Sequence, residues 1–136
     1  MGCDGAIPAC GPWPELDEWR AIRDPRQRPE LALDELYAYY ERTEPMLSNV
    51  LRDAELVDLA NEGIAPLRAY LEEAAETLAA GRGLRGRRRQ LLGGALRHAL
   101  AFPTWRSLSA NCITRSDAVK LMTTLVDATA TPMGAD

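Results

Sequence analysis

The stretch "LRHALAFPTWRSL" (residues 96–108) decides how the fold is read. It holds the only His (His98), the only Phe (Phe102), Pro103 and one of three Trp (Trp105). All four fall inside what otherwise reads as one long helix, from about residue 87 to residue 108. In a helix interior Pro103 removes the hydrogen bond to the carbonyl of Ala99 and bends the rod. The expectation is a kink, because helical spacing resumes beyond the proline, with Phe102 and Trp105 filling the bend. The alternative is a proline tolerated near a helix end.

Working outward, Leu91, Ala95, His98, Phe102 and Trp105 share one face of this helix, and Leu92, Leu96 and Ala99 share a neighbouring one. Gly93 and Gly94 would admit a partner helix closely. The next segment opens at "TRSD" (114–117), where Thr114 suits a cap and Asp117 completes a capping box. It runs to about Thr129, with Ala118, Leu121, Met122, Leu125 and Val126 on one side. Two such broad faces exceed what one small domain needs. The expected architecture is therefore all-α: an antiparallel bundle of five to six helices. Its last two helices would pair with those of a second chain as a four-helix bundle. Leu92, Leu96, Ala99, Ala118, Leu121, Met122 and Leu125 would form the interface. A monomeric core that absorbs both faces is the alternative.

Upstream, residues 1–14 are rich in Gly and Pro and read as a tail, leaving one domain over 15–131. A short helix is expected over 14–24 with Leu16, Trp19 and Ile22 on one side. Pro25 or Pro29 opens the next helix, which reaches about Thr43 and carries Leu33, Leu36, Tyr37 and Tyr40. Pro45 reads as a fresh helix start, followed by Met46, Leu47, Val50 and Leu51. Gly63 suits a terminating position. A helix over about 64–80 places Leu67, Tyr70, Leu71, Ala74 and Leu78 opposite Glu72, Glu73 and Glu76. "GRGLRGRRRQ" (81–90) reads as a linker.

The 136 residues carry a net charge of −4, and the pI is about 5.1. An acidic chain is poorly suited to nucleic acid on its own, since phosphate neutralisation supplies most of that affinity. The run Arg82, Arg85, Arg87, Arg88 and Arg89 is the only basic patch, and it is expected to solvate a helix start rather than hold a phosphate. Cys3, Cys10 and Cys112 make neither a disulfide framework nor a zinc pattern. A single His argues against a multi-His metal site. No run of about 18 apolar residues suggests a membrane span, and no signal peptide is readable. A cytoplasmic location is expected. The opening Met-Gly-Cys departs from the acylation pattern at Ala6.

"ALRHALAFPTWRSL" (95–108) followed by "ITRSDAVKLMTTLVDA" (113–128) resembles the C-terminal end of TetR-type bacterial transcriptional regulators. "ELYAYYERTEPMLSNVLRDAEL" (35–56) resembles their middle helices. The resemblance implies an all-helical domain that dimerises through its last two helices and binds a small effector. Residues 1–14 are too short for the family's three-helix DNA-binding head, so the expectation is an effector-binding and dimerisation domain without its own head.

Small apolar effectors would meet Tyr37, Tyr40, Met46, Val50, His98, Phe102 and Trp105. Tyr has an apolar body with a polar tip, and Met is adaptable. Core packing gives the same periodicity as a pocket wall, so both readings stand for the tyrosines. His98 is either a pocket donor or a packed or rim residue. No nucleophile, cofactor or metal motif supports an enzyme, and Asp53 with Glu55 is a weak carboxylate pair. The reading from a different class is a helical protein–protein interaction domain with no ligand, either an adaptor or a dominant-negative partner.

Overall fold

The computed structural model of the chain describes residues 13–56 and 65–130. Residues 1–12, Gly63, the side chains of Asp53 and Glu55 and the last six residues lie outside that description. Among the described residues six α-helices follow one another: α1 (Leu16–Arg20), α2 (Arg28–Leu56), α3 (Ala65–Ala79), α4 (Gly86–Leu100), α5 (Phe102–Ala110) and α6 (Arg115–Ala130). No strand occurs among the described residues. The all-α bundle expected from the periodicity is what forms.

α1 is shorter than its apolar spacing suggests and buries Leu16 and Trp19 alone. The Trp19 indole N–H donates to Glu35 Oε1 at 3.0 Å and fixes α1 against α2. Both prolines considered as helix openers act. Pro25 starts a 3₁₀ turn, Pro25–Gln27, whose first amide, Arg26 N–H, is accepted by the Asp24 carboxylate at 3.0 Å. Pro29 lies in the first turn of α2, where a missing N–H costs little. Trp13, assigned to the tail from composition, stacks on Tyr70 with ring centroids 4.8 Å apart. The Tyr70 hydroxyl donates to the Pro14 carbonyl at 2.6 Å.

α2 corrects one expectation. It runs unbroken for 29 residues with Pro45 inside it. Proline there leaves the Glu41 carbonyl without its helical donor, a cost of about 3 kcal/mol. Burial on both sides of the proline holds the helix together: Tyr39, Tyr40 and Leu47 are fully enclosed. Thr43 is also buried, and its hydroxyl donates to the Tyr39 carbonyl at 2.8 Å.

α3 and α4 form an antiparallel hairpin. Arg89 early in α4 reaches the Ala79 carbonyl at the end of α3, at 2.8 Å. Later in α4, Arg97 grips Glu72 farther back along α3. α6 runs antiparallel to α2: Arg115 at its start pairs with Asp34 and Glu41. Near its end Asp127 meets Arg82, which also donates to the Pro25 carbonyl at 3.3 Å. The Arg82 side chain is only 4% exposed. Arg82 and Arg89 are therefore clamps between elements, not members of a solvated basic run. α6 packs on both α2 and α4, and α4 on α3.

The turn into α6 is closed by two bonds. The Cys112 N–H donates to Ser109 O at 3.0 Å and the Ile113 N–H to Leu108 O at 3.1 Å. This pairing of carbonyls requires a left-handed residue between them, and Cys112 takes it with φ 64°. Thr114 then caps α6 as read from "TRSD", accepting the Asp117 N–H at 3.2 Å.

Candidate functional site

The opening stretch does not kink. It breaks. α4 ends at Leu100, Ala101 is extended (φ −70°, ψ 139°), and α5 begins at Phe102 with Pro103 in its first turn. In a continuous helix the Pro103 ring would meet the Ala99 carbonyl. The break removes that clash and puts the proline where no amide donor is needed. Two carbonyls of α4 then lose their helical donors. The Ala99 carbonyl would have taken the Pro103 N–H, which does not exist. The Leu100 carbonyl would have taken the Thr104 N–H, which bonds Ala101 O instead at 3.1 Å.

Two tyrosines from α2 fill both vacancies. Tyr37 OH donates to Ala99 O at 2.6 Å, and Tyr40 OH donates to Leu100 O at 2.5 Å. All four groups are buried, so the bonds satisfy carbonyls that water does not reach. Burial pushes both phenols well above their ordinary range, and the neighbouring tyrosines add to this at Tyr40. The same burial acts on Tyr70.

The break also rotates the chain. A continuous helix would place Leu91, His98, Phe102 and Trp105 on one face. Instead Phe102 and Trp105 are buried, while Leu91 is 47% exposed and His98 lies on the surface. The Phe102 ring meets Tyr40 edge-on at 5.2 Å and Trp105 at 5.7 Å. The expected pocket residues thus divide. Tyr37, Tyr40, Phe102 and Trp105 form a closed aromatic cluster whose tyrosine hydroxyls are already used. They anchor the α4–α5 break and do not line a cavity together. Met46 and Val50 are half-buried. His98 stands at the rim, 3.5 Å from the Thr104 hydroxyl by either ring nitrogen.

Several open grooves mark the surface, and two of them run along α2. One, of about 560 Å³, lies between the start of α2 and α6, with Ile22, Leu31, Asp34, Val119 and Lys120 in its walls. Asp34 there is paired with Arg115. The other, of about 610 Å³, lies between the second half of α2 and α5, with Ser48, Leu51, Arg52, Phe102, Arg106 and Ala110 in its walls. Phe102 is the one expected ligand residue that faces it. Sequence reasoning missed the rest because the two walls are fifty or more positions apart. Among the described residues no cluster of His, Cys, Asp and Glu suits a metal ion, and no helix is long and apolar enough to cross a membrane.

The proposed interface residues divide as well. Leu92, Leu96, Ala99, Ala118 and Met122 lie inside the chain's own core, each at most 4% exposed. They offer no surface to a second copy. Leu121 and Leu125 on α6 are 43% and 50% exposed, and Leu91 on the adjoining α4 joins them. Among the described residues no neighbouring element explains the glycine pair. A side chain at Gly94 would meet nothing within 4 Å, and one at Gly93 only the tip of Arg97.

Comparison with protein-family models, curated proteins and solved structures found no match to this chain.

Proposed function

We propose that this chain is an effector-responsive homodimerisation domain of the kind found in TetR-type transcriptional regulators. The observation that carries the reading is the uncovered apolar surface on α4 and α6. Leu91, Leu121 and Leu125 leave large side chains in water, and a side chain at Gly94 would meet nothing within 4 Å among the described residues. Exposed leucines on two helices packed together suit coverage by the same pair from a second chain. The sequence resemblance of 95–108 and 113–128 covers the end of α4, α5 and α6.

Effector binding is the second half of the proposal. An open groove beside α5 gives a ligand access to the short helix that follows the break. A ligand seated there would favour one packing of α5 on α2 over another. In a complete regulator of this type such a shift would change the spacing of paired DNA-binding heads. Melting temperature tests both halves. A dimer melts higher as protein concentration rises, and an effector raises the melting point at fixed concentration. A melt that responds to neither contradicts the proposal.

The closed aromatic cluster favours a second reading, a helical protein–protein interaction domain without a ligand. It predicts a concentration-dependent melt that no small molecule shifts.

A further inference from the structure

We propose that the dimer face on α4 and α6 is proton-sensitive: a second copy of the chain covers His98, and acid releases that copy. This rests on the homodimerisation half of the function proposed above and names its regulation.

His98 belongs to the face by helical spacing. It follows Leu91 by seven positions, which places it within about 20° of Leu91 around α4 and about 10 Å farther along the axis. Both residues are exposed. Phe102 would have continued the stripe, but the break at Ala101 turns it inward.

α6 supplies the rest of the face. Tyr37 and Tyr40 of α2 bond the end of α4, and Arg115 at the start of α6 reaches Asp34 and Glu41 on α2 as well. At the other end Asp127 of α6 meets Arg82, just before α4. α4 and α6 are therefore antiparallel, with Leu91 level with Leu125 and His98 level with Asp117. Asp117, Leu121 and Leu125 recur every four positions on α6 and are all exposed. A stable interface takes about 800 Å² from each copy, a patch of about 16 Å radius. Centred on the leucines, a patch of that size takes in His98, about 10 Å from Leu91.

Covering a neutral imidazole costs little, whereas covering an imidazolium costs its hydration. Imidazole changes charge near neutral pH. The elements around His98 return little of that cost. From α5 the Thr104 hydroxyl stands 3.5 Å from either ring nitrogen and is uncharged, and Arg106 lines the groove towards α2. On α4 itself, Arg97 pairs with Glu72 of α3. Glu73 of α3 pairs with Arg20, and Glu76 acts on Arg97. On α6, Arg115 is drawn to α2, and Lys120 lines the groove on the α2 side. Asp117 is the acid at the same end of the face, and an exposed carboxylate offsets only a small part of the cost. Each copy carries the ring, so dimer formation in acid must expel two protons.

The test is sedimentation equilibrium of the full chain at about pH 7.5 and about pH 5.5, which bracket imidazole titration. The dimer dissociation constant of the parent is expected to rise at least about tenfold in acid. His98→Gln, neutral throughout, is expected to keep one constant at both pH values. His98→Arg, charged throughout, is expected to dissociate at the higher pH, at concentrations where the parent is dimeric. The position is exposed, so both variants should keep the helical signal in circular dichroism. A parent dimer indifferent to pH overturns the proposal and leaves dimerisation standing. So does a His98→Gln protein as acid-sensitive as the parent, or a His98→Arg protein that dimerises as tightly. A parent that is monomeric at both pH values removes the dimer itself, and the switch with it.

Discussion

Replacing Tyr40 by Phe deletes one oxygen from the centre of the molecule. The ring keeps its contacts with Phe102 and Trp105, at 5.2 and 6.1 Å. What is lost is the 2.5 Å bond to the Leu100 carbonyl, in a place no water reaches. Among the described residues the carbonyl has no other donor, since the Thr104 amide bonds Ala101. Leaving a buried acceptor unpaired costs about 1–3 kcal/mol, more than the net worth of an average bond. A chain of 136 residues loses about 0.3 kcal/mol of stability per degree near its midpoint. A loss of about 2 kcal/mol therefore lowers the melting temperature by about 7 °C. Urea unfolding followed by circular dichroism at 222 nm measures the loss directly, with an unchanged m-value showing that the native fold persists. Tyr37→Phe should cost a similar amount through the Ala99 carbonyl. A Tyr40→Phe protein within about 0.3 kcal/mol of the parent would refute the idea that the two hydroxyls hold the helix break.

Three further outcomes are expected. Cys112→Gly should stabilise the chain by about 1 kcal/mol in the same urea assay, because φ 64° strains a residue with a Cβ. Pro45→Ala should raise the melting temperature, since it restores an amide to the Glu41 carbonyl inside α2. Raising the pH should unfold the protein steeply. Tyr37, Tyr40 and Tyr70 have raised folded-state pKa values, so the stability from keeping them neutral is complete below about pH 10 and is lost as pH climbs above it. The slope is about 4 kcal/mol per pH unit for three phenols released together. Tyrosinate absorbance at 295 nm should rise together with the loss of helix.

Helices with a single apolar stripe were legible in the sequence. Leu67, Tyr70, Ala74 and Leu78 lie buried on α3, as three-and-four spacing requires. The Thr114 cap was legible because the hydroxyl and the amide it serves are three positions apart. The prolines were not. Pro45 and Pro103 present the same local chemistry, yet one sits inside a continuous helix and the other follows a break. The difference is made by partners distant in sequence: Tyr37 and Tyr40 satisfy the carbonyls that the break at Ala101 frees. Missing that break joined Leu91 and His98 to the buried face of Phe102 and Trp105, and so assigned Leu92, Leu96 and Ala99 to an interface instead of the core. The tyrosines were read evenly as pocket or core because burial gives both the same period. Only their hydroxyl bonds to the backbone separate the two.

The proposed homodimer needs α4 and α6 to leave a face for a second copy of the chain. The most direct measurement is the molar mass in solution, by light scattering, of the parent and of a Leu121→Glu/Leu125→Glu variant. Both leucines are exposed within the chain, so the variant should keep its helical signal. The parent is expected at about 30 kDa, twice the chain mass of 15.0 kDa, and the variant at about 15 kDa. A parent of 15.0 kDa at all concentrations, or a variant that remains a dimer, would contradict it.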